Sequence, residues 1–578
     1  MFCNFTHGRE LLSMSLPMIF VALTLQISLL ITIMYVGRLE GALYMASATI
    51  SITICNMTGY SIAIGSCSAL DSLVSQAYGA KAYKLMGLHC QRAMVILSIA
   101  VMIAISIWCQ TEFILHTILG IEKDTAKLAG LWAKHYAIGL WPAVMFEILR
   151  KFLQCQQLIW PIVVSALTAA ITNLFLSYIL VYSYDLGYIG CVTGYVTSQW
   201  ISLITLSFIV TVYKYVIHSY KNGYQRVIRL NEMDTSLSAA FTVDEIEDDK
   251  FDANSSHGLI EEPSDETEGH AIKIFAKNKS DSVQDKDATE AEEEAEDPDD
   301  NWPPLSTEIF SDWWPFLRIG LPSGLSLFIE WGSYEATAVI VGRLGTVSLA
   351  THGIFSALAP IMYMTPISIA ISSATLAGNM LGEGLAERAW HMVALGMWSD
   401  LVVGIIQGTL LFVLGPYWVH AFTTDTDVVS LVQSTLPVFM LYIIADDTKC
   451  GSLNLLRSTG NPAVTVWGNA IICYAFMVPL AYLLAFPAKM GIEGPWLAMT
   501  ISWMIMIVLY SYVLWKTDWQ QQADNAQKLA KGNRVTITPN VSYSSSFDES
   551  EVSAHEGHKS LCSPTGDKDI ELIELDES

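Results

Sequence analysis

Two glutamates interrupt an apolar run in the second half of the chain. Glu330 lies midway between Arg318 and Arg343, which flank this run, and Glu335 follows five residues later. On an α-helix the two acids would lie about 7.5 Å apart along the axis and point roughly 140° apart. Ionisable groups within a membrane span are costly and are therefore candidates for function. We expect Glu330 at the centre of its span, with Glu335 nearer to one end and in different surroundings.

An acid in this position can couple a proton to an organic cation. A carboxyl group removed from water binds its proton more tightly, so it can exchange that proton near neutral pH. Its charged form attracts a cation, and protonation releases the cation, so Glu330 is a candidate for both ion coupling and substrate binding. Trp331 and Tyr334 could stack on such a cation, although apolar packing favours the same residue types. Gln26, the strongly polar side chain of the first span, is a further candidate for substrate binding.

A third group of ionisable residues lies in a later apolar run. Asp446 and Lys449 are three residues apart and can pair on one helix face, and Asp447 lies between them. A neighbouring lysine weakens the attraction of an acid for cations. Asp446 therefore remains either an ion-coupling acid or one half of a salt bridge.

The composition indicates a membrane protein with acidic polar segments. The 578 residues are 52% hydrophobic and 15% charged, and their net charge is -25. Residues 231–300 hold 24 Asp and Glu against 5 Lys, and residues 516–578 hold 12 acidic against 6 basic residues. These two segments account for the whole surplus, so the rest of the chain is close to neutral. Nothing here predicts a nucleic-acid partner, and we expect the lipid bilayer and a small organic, cationic substrate as partners.

No cofactor or enzymatic chemistry is predicted. The ten cysteines form no CxxC pair and fall mostly in apolar runs, where small buried side chains are the simplest interpretation. The sequence has no phosphate-binding GxxxxGK[ST] motif, no metal-ligand cluster and no catalytic triad signature. We expect transport that depends on an ion gradient rather than on ATP, by a chain that acts as a monomer.

Twelve apolar runs are long enough to cross a membrane, because a spanning helix needs about 20 apolar residues. They fall at 11–36, 43–69, 90–110, 131–153, 160–182, 188–214, 315–341, 347–376, 390–414, 429–456, 463–486 and 492–515. We divide the chain into an N-terminal six-helix lobe (1–216), an acidic disordered linker (217–310), a C-terminal six-helix lobe (311–516) and a disordered tail (517–578). The short loops on one side carry 11 Lys and Arg against 6 on the other, which predicts that the first side, both termini and the linker are cytoplasmic.

The two six-helix halves are copies of one unit. "VGRL" recurs at an offset of 305 residues (36–39 and 341–344), and "SQAYGA" (75–80) aligns with "GNMLGE" (378–383) at an offset of 303. This alignment pairs Gln76 with Asn379 and Gly79 with Gly382. Because six spans return the chain to its starting side, the copies insert the same way up, related by a pseudo-twofold axis along the membrane normal. Matching motifs at helix ends make these four residues candidate structural or gate positions.

The motifs resemble those of the MATE (multidrug and toxic compound extrusion) transporters, in particular their eukaryotic branch. The first copy carries "YVGRLEGALYMASATI" (35–50) and "GSCSALDSLVSQAYGAK" (65–81). The second carries "FIEWGSYEA" (328–336), "IVGRLGTVSLATHGI" (340–354), "GNMLGEG" (378–384) and "LRSTGNP" (456–462). The resemblance covers about 11–215 and 315–515. It implies an all-α fold of two six-helix bundles arranged in a V.

The resemblance also implies antiport, in which an entering proton, rather than sodium, drives the export of organic compounds. Glu330 matches the family's essential acid in the seventh helix, Glu335 matches a second acid of eukaryotic members, and Asp446 matches an acid in the tenth helix. Asp71 matches a position near the cytoplasmic end of the second helix, where a cap or gate contact is expected. Ala357 stands where some members have a further acid, and the extra helix that follows the twelfth in some animal members is not expected here.

Two other functions remain open at this point. A flippase for lipid-linked sugars would keep the fold, but such relatives have more spans and a basic cavity. A membrane scaffold or receptor could use the acidic linker, but it would leave the acids of the spans without a role. The linker and the serine-rich tail could also bind a regulatory kinase or adaptor. The sequence does not separate the plasma membrane from a vacuolar membrane.

Overall fold

The structure, a computed structural model, describes residues 5–39, 42–212, 301–423, 425–458 and 462–531. Within these ranges twelve long helices follow one another in two sets of six. The first set is α1 (Phe5–Gly37), α2 (Leu43–Gly79), α3 (Tyr83–Cys109), α4 (Lys123–Cys155), α5 (Trp160–Ser183) and α6 (Gly187–Val212). The second set is α7 (Trp314–Gly342), α8 (Thr346–Gly382), α9 (Ala386–Trp418), α10 (Thr426–Ser458), α11 (Ala463–Ala485) and α12 (Glu493–Lys516). Each predicted span coincides with one of these helices.

Ten of the twelve helices are long and apolar enough to cross a membrane on those grounds alone. The remaining two are α4 and α7, and both carry buried ionisable side chains, Glu147 and Lys151 in α4 and Glu330 in α7. Buried charge within a span is expensive and is usually retained for function. Helices that carry buried ionisable side chains are therefore the first place to look for a site.

Two prolines within spans each leave a helix carbonyl without its usual donor, and a side chain from a neighbouring helix donates to it instead, as expected for spans. Pro142 has no N–H to offer the carbonyl of Ile138 four residues earlier, and the Trp200 indole donates to that carbonyl at 3.2 Å. Pro366 leaves the Met362 carbonyl of α8 in the same position. The Gln407 amide of α9, oriented to satisfy its neighbours, donates to this carbonyl at 3.2 Å.

Each six-helix lobe has its own hydrophobic core. The first helix of each lobe also buries residues near its beginning in the core of the other lobe. Leu11 and Met14 of α1 are buried in the core of the C-terminal lobe, whereas Phe316 and Ile319 of α7 are buried in the core of the N-terminal lobe. These are equivalent positions at the 305-residue offset of the repeat. The lobes also meet through α1 on α8 and through α2 on α7, which are equivalent contacts. The predicted pseudo-twofold relation therefore describes the packing as well as the motifs.

Two parts of the predicted polar segments are ordered, which corrects the sequence prediction. Residues 301–312 follow the surface of the N-terminal lobe: the Gln91 amide donates to the Pro303 carbonyl at 2.7 Å, and Trp302 packs edge-on against Phe152 at 5.0 Å. A thirteenth helix, α13 (Trp519–Ala530), lies within the predicted tail and packs on α2, α8 and α9. It was missed because it is short and polar on one face. The rest of the predicted linker and tail, 217–300 and 532–578, lies outside the described residues.

Candidate functional site

Glu330 lies in the middle of α7 and faces the interior of the C-terminal lobe. Its side chain is 3% exposed, and the Lys449 Nζ of α10 donates to its Oε1 at 2.7 Å. Arg457, two turns further along α10, places a guanidinium nitrogen 3.6 Å from its Oε2. The Asn469 amide of α11 lies 3.5 Å from the same oxygen. The predicted central acid is thus the meeting point of three helices, and two cations hold it.

Asp446 completes this charge cluster from the α10 side. Lys449 Nζ lies 2.9 Å from Asp446 Oδ1, so the predicted pair at three residues' spacing is confirmed. The Tyr334 hydroxyl donates to the same oxygen at 3.2 Å, and Lys449 is fully buried over the ring of Trp503, 4.0 Å from its centroid. Lys449 therefore joins Asp446 to Glu330, a link across helices that spacing along one helix could not predict.

A shell of uncharged groups fixes the positions of the ionised ones. Ser326, one turn before Glu330, accepts from the Arg457 guanidinium at 3.1 Å and from the Asn469 amide at 3.0 Å. The Asn469 oxygen in turn accepts from the Tyr510 hydroxyl of α12 at 2.7 Å. The cluster has two carboxylates against two cations, so its charges balance. One added proton would leave one surplus positive charge in the lobe interior.

The predicted substrate residues divide between two faces of α7. Tyr334, one turn after Glu330, points with it into the lobe. Trp331 and Glu335 lie seven and eleven residues after Gly324, about two and three turns along the same face. Gly324 packs directly against α2, where an added Cβ would come within 2.7 Å of the Ile62 carbonyl oxygen. Trp331 and the exposed Glu335 therefore follow the side of α7 that faces the N-terminal lobe.

Gln26 lies on α1, apart from the charge cluster. It is partly exposed, and at the 305-residue offset it is equivalent to Trp331. The two residues therefore occupy matching levels on the two helices that begin each lobe. Sequence reasoning placed Trp331, Tyr334 and Gln26 in one group; the structure separates Tyr334 from the other two.

The repeat motif residues meet at the ends of α2 and α8. A Cβ added to Gly79 would overlap the carbonyl of Asn379, and one added to Gly382 would overlap the carbonyl of Gln76. This contact is reciprocal, as the alignment of Gln76 with Asn379 and of Gly79 with Gly382 requires. The Asn379 amide also donates to the Cys155 carbonyl at 2.9 Å. The lobes are therefore in close contact at the end of the molecule where α3 and α9 begin, with the exposed Lys84 and Arg388, and we call this end the basic face.

Asp71 lies one turn before this contact and is buried against α4. The Lys151 Nζ donates to its two carboxylate oxygens at 2.6 and 2.8 Å, and Glu147 pairs with Arg150 on the same helix. Lys151 lies 3.9 Å from Glu147 as well. Asp71 is thus buried and paired within the N-terminal lobe, and the cap or gate contact expected for it stays a prediction.

One buried acid was not singled out from the sequence. Asp400 of α9 is fully buried and lies on the side of α9 that packs against α10. An aspartate inside the apolar run 390–414 was visible in the sequence. It has no neighbouring charge on its own helix, and so it did not stand out.

The chain was compared with known proteins. The family model described as MatE matches residues 17–179 and 322–483, one segment in each lobe and together more than half of the chain. Multidrug and toxin extrusion protein 1 of Xenopus tropicalis is 25% identical over 93% of this chain and 78% of its own length. Protein DETOXIFICATION 16 of Arabidopsis thaliana is 26% identical over 92% of each chain.

Solved structures share the fold. The crystal structure of the eukaryotic MATE transporter AtDTX14 superposes with a TM-score of 0.72 at 23% identity, covering 91% of this chain and 99% of its own. A structure of the Vibrio cholerae MATE transporter VcmN superposes with a TM-score of 0.68 at 15% identity, covering 89% of this chain and 99% of its own. Both matches span the two six-helix lobes.

Proposed function

The chain belongs to the MatE family and is a multi-pass membrane transporter, not an enzyme, and from this premise we propose that it exports organic cations in exchange for protons. In this proposal Glu330 and Asp446 carry the exchanged proton, Glu335 and Trp331 bind the cation, and Gln26 contributes from the other lobe. The coupling ion is the proton rather than sodium.

The buried, charge-balanced cluster around Glu330 is the observation that carries the proposal. A change in the charge balance inside a span is costly, because an uncompensated charge has a high electrostatic energy in a medium of low dielectric constant. A proton on Glu330 would release one of the contacts of Lys449 and leave one surplus positive charge. The loss of this contact weakens the interaction between α7 and α10. The surplus positive charge also repels a cation bound on the neighbouring face of α7. Proton uptake and cation release are therefore coupled through the same helix.

The substrate surface follows from the face of α7 that is turned toward the N-terminal lobe. Glu335 supplies an exposed carboxylate, and Trp331, one turn earlier, supplies an aromatic face for a cation. A bound cation would lie between the lobes and would be enclosed or released as they move. Alternating access of this kind is rocking of one six-helix bundle against the other.

We place the basic face in the cytoplasm, with both termini on that side, on the strength of its basic loops. In this orientation the contact of α2 with α8 would close the cytoplasmic side. Export then requires a second state in which this contact opens to admit the substrate. The plasma membrane and a vacuolar membrane both fit this orientation.

The test uses the full chain in lipid vesicles with an imposed pH gradient and a fluorescent organic cation. We expect gradient-driven uptake by the wild type and its loss in Glu330→Gln, which removes the exchangeable acid at constant size. Glu387→Gln, which neutralises an exposed acid at the start of α9, is the matched control and should transport as the wild type does.

The outcomes separate the alternatives. Equal uptake by wild type and Glu330→Gln would remove Glu330 from the mechanism. A sodium gradient that fully replaced the proton gradient would overturn the ion assignment. No uptake by any variant would favour a flippase or a scaffold. We do not favour the flippase, because Lys449 and Arg457 are engaged with carboxylates and are not available to a lipid phosphate.

A further inference from the structure

A second pair of acids is buried between α9 and α10. Asp400 is 0% exposed and Asp447 is 1% exposed. Asp400 faces Gly451 so closely that a Cβ there would overlap its carboxylate, and Asp447 Cβ lies 3.1 Å from where a Cβ on Gly404 would be. Positions 400 and 404 are one turn apart, as are 447 and 451. Both carboxyl groups therefore lie in the contact between α9 and α10, which we call the seam, about one helical turn from each other.

The seam is built to leave room for carboxyl groups rather than to neutralise them. Glycine occupies the position opposite each acid, at 404 and 451, so the helices pack closely and neither facing position supplies a side chain that could pair with a carboxylate. An arginine or lysine in either position could have paired with them. The chain instead keeps both acids in a part of the lobe where an uncompensated charge is most costly.

These carboxyl groups lack the partners that buried charges require. Among the residues that the structure describes, neither oxygen of Asp400 has a hydrogen-bond partner, and nor does Oδ1 of Asp447. Asp447 Oδ2 accepts from the Gln407 amide at 3.0 Å. A carboxylate without a donor or a cation is rare in a protein interior, so this environment favours the protonated, uncharged form of the acid.

The nearby charged and titratable groups are already engaged. On α10, Lys449 and Asp446 act on Asp447, but they belong to the Glu330 cluster. On the same helix the Cys450 thiol lies near Asp400 and is hydrogen-bonded to the Tyr363 hydroxyl of α8. On α9 the polar neighbour is Gln407. No cation is directed to this seam from α8, α9 or α10 within the described ranges.

We propose that Asp400 and Asp447 together bind a proton, forming a second proton site of the C-terminal lobe beside the Glu330 cluster. One bound proton leaves a single negative charge in the seam and so removes the repulsion between the two carboxylates. This inference extends the proposed proton antiport, but the site itself is defined by the seam and not by transport.

The site is connected to the bend of α8. The Gln407 amide that donates to Asp447 also donates to the Met362 carbonyl, which Pro366 leaves without its helical partner, and it accepts from Thr365 Oγ1 at 3.1 Å. A charged Asp447 holds this amide with a charge-assisted hydrogen bond, and a protonated one holds it less strongly. Proton occupancy in the seam therefore acts on the kink of the helix whose far end closes the basic face.

Infrared spectroscopy of the purified full chain in lipid tests the proposal, because a protonated carboxyl group has its own C=O stretching band. We expect the wild type to show such a band at neutral pH and to lose it on titration to alkaline pH. Asp400→Asn and Asp447→Asn should each lose the band, because each variant removes one acid and with it the like charge that favours protonation of the other. Glu387→Gln is the control for an exposed acid and should keep it.

Several results would overturn the proposal. It would fail if the band were absent from the wild type, persisted in both asparagine variants, or disappeared when sodium was added at constant pH. The titration of the wild type tests the proton site even if a variant does not fold. Proton-driven uptake is measured on the same preparations. If the wild type did not transport but the band behaved as expected, the antiport proposal would fail and the proton site would stand.

Discussion

Lys449 shows why a charge pattern along one helix is an incomplete guide to a site. Its pairing with Asp446 follows from spacing alone, and the structure confirms it. The stronger consequence, that the same ammonium group also neutralises Glu330, depends on how α10 packs against α7. The central acid of the seventh span was predictable because two arginines flank that span. Its partners were not, because no local pattern records which helices become neighbours.

The buried position of Lys449 leads to a stability prediction. Lys449→Gln leaves Glu330 and Asp446 as neighbouring carboxylates with only Arg457 to balance them. Losing one partner of a buried ion pair typically costs about 3–5 kcal/mol. We expect a loss of that order in the free energy of unfolding, measured by chemical unfolding in mixed micelles.

A double variant separates charge balance from packing. Adding Glu330→Gln to Lys449→Gln restores the balance between acids and bases, so we expect it to recover part of the lost stability although it removes a second native residue. The control is Lys123→Gln, an exposed lysine at the start of α4, which should leave stability unchanged. A double variant less stable than Lys449→Gln would contradict the view that charge balance holds this cluster together.

At the scale of helices, α2 and α8 close the basic face through glycines that approach backbone rather than side chains. Backbone atoms cannot turn aside, so a methyl group at Gly79 or Gly382 must push the helices apart. Overpacking of this kind costs about 1–3 kcal/mol. We expect Gly79→Ala and Gly382→Ala to shift the molecule toward states that are open at the basic face.

Spin labels at Lys84 and Arg388 report this change, because α3 and α9 begin at equivalent places on that face. Longer distances by pulsed electron paramagnetic resonance are expected for both glycine variants. Gly353→Ala is the matched control on α8, since nothing lies within 4 Å of its added Cβ. Equal distance distributions for all three variants would show that this contact does not hold the face closed.

The success of the helix prediction has a simple physical basis. A span must satisfy its backbone within itself and be apolar over a fixed length, so α1–α12 follow from hydropathy. The rule does not apply to α13, which has one polar face and lies against protein, nor to residues 301–312. Both bind through small or scattered apolar contacts, such as Ala523 and Trp302, that composition cannot reveal.

At the scale of the molecule, the duplication supplies the scaffold and the second copy supplies the charge cluster. Equivalent residues of α1 and α7 are each buried in the core of the opposite lobe. Equivalent residues of α2 and α8 form the reciprocal contact that closes the basic face. At the 305-residue offset Glu330 corresponds to Leu25, so the N-terminal lobe has no matching acid. The lobes therefore share their packing, whereas the proposed ion coupling is concentrated in one of them.

The position of α13 gives the last prediction. Ala523 and Ala526 are buried in the core of the C-terminal lobe, and the ring centroids of Trp519 and Trp390 lie 5.5 Å apart. Leu529 packs against the core of the N-terminal lobe. One short helix thus contacts both lobes at the basic face. Truncation after Thr517 should therefore lengthen the distance between labels at positions 84 and 388.

Truncation after Lys531 is the matched comparison, because it retains α13 and removes only the chain beyond it. We expect this variant to keep the wild-type distance distribution. If both truncations lengthened the distance equally, the effect would belong to the segment beyond 531 and not to α13. If neither did, the reciprocal contact of α2 with α8 would close the basic face without help from α13, and the glycine variants alone would then open it.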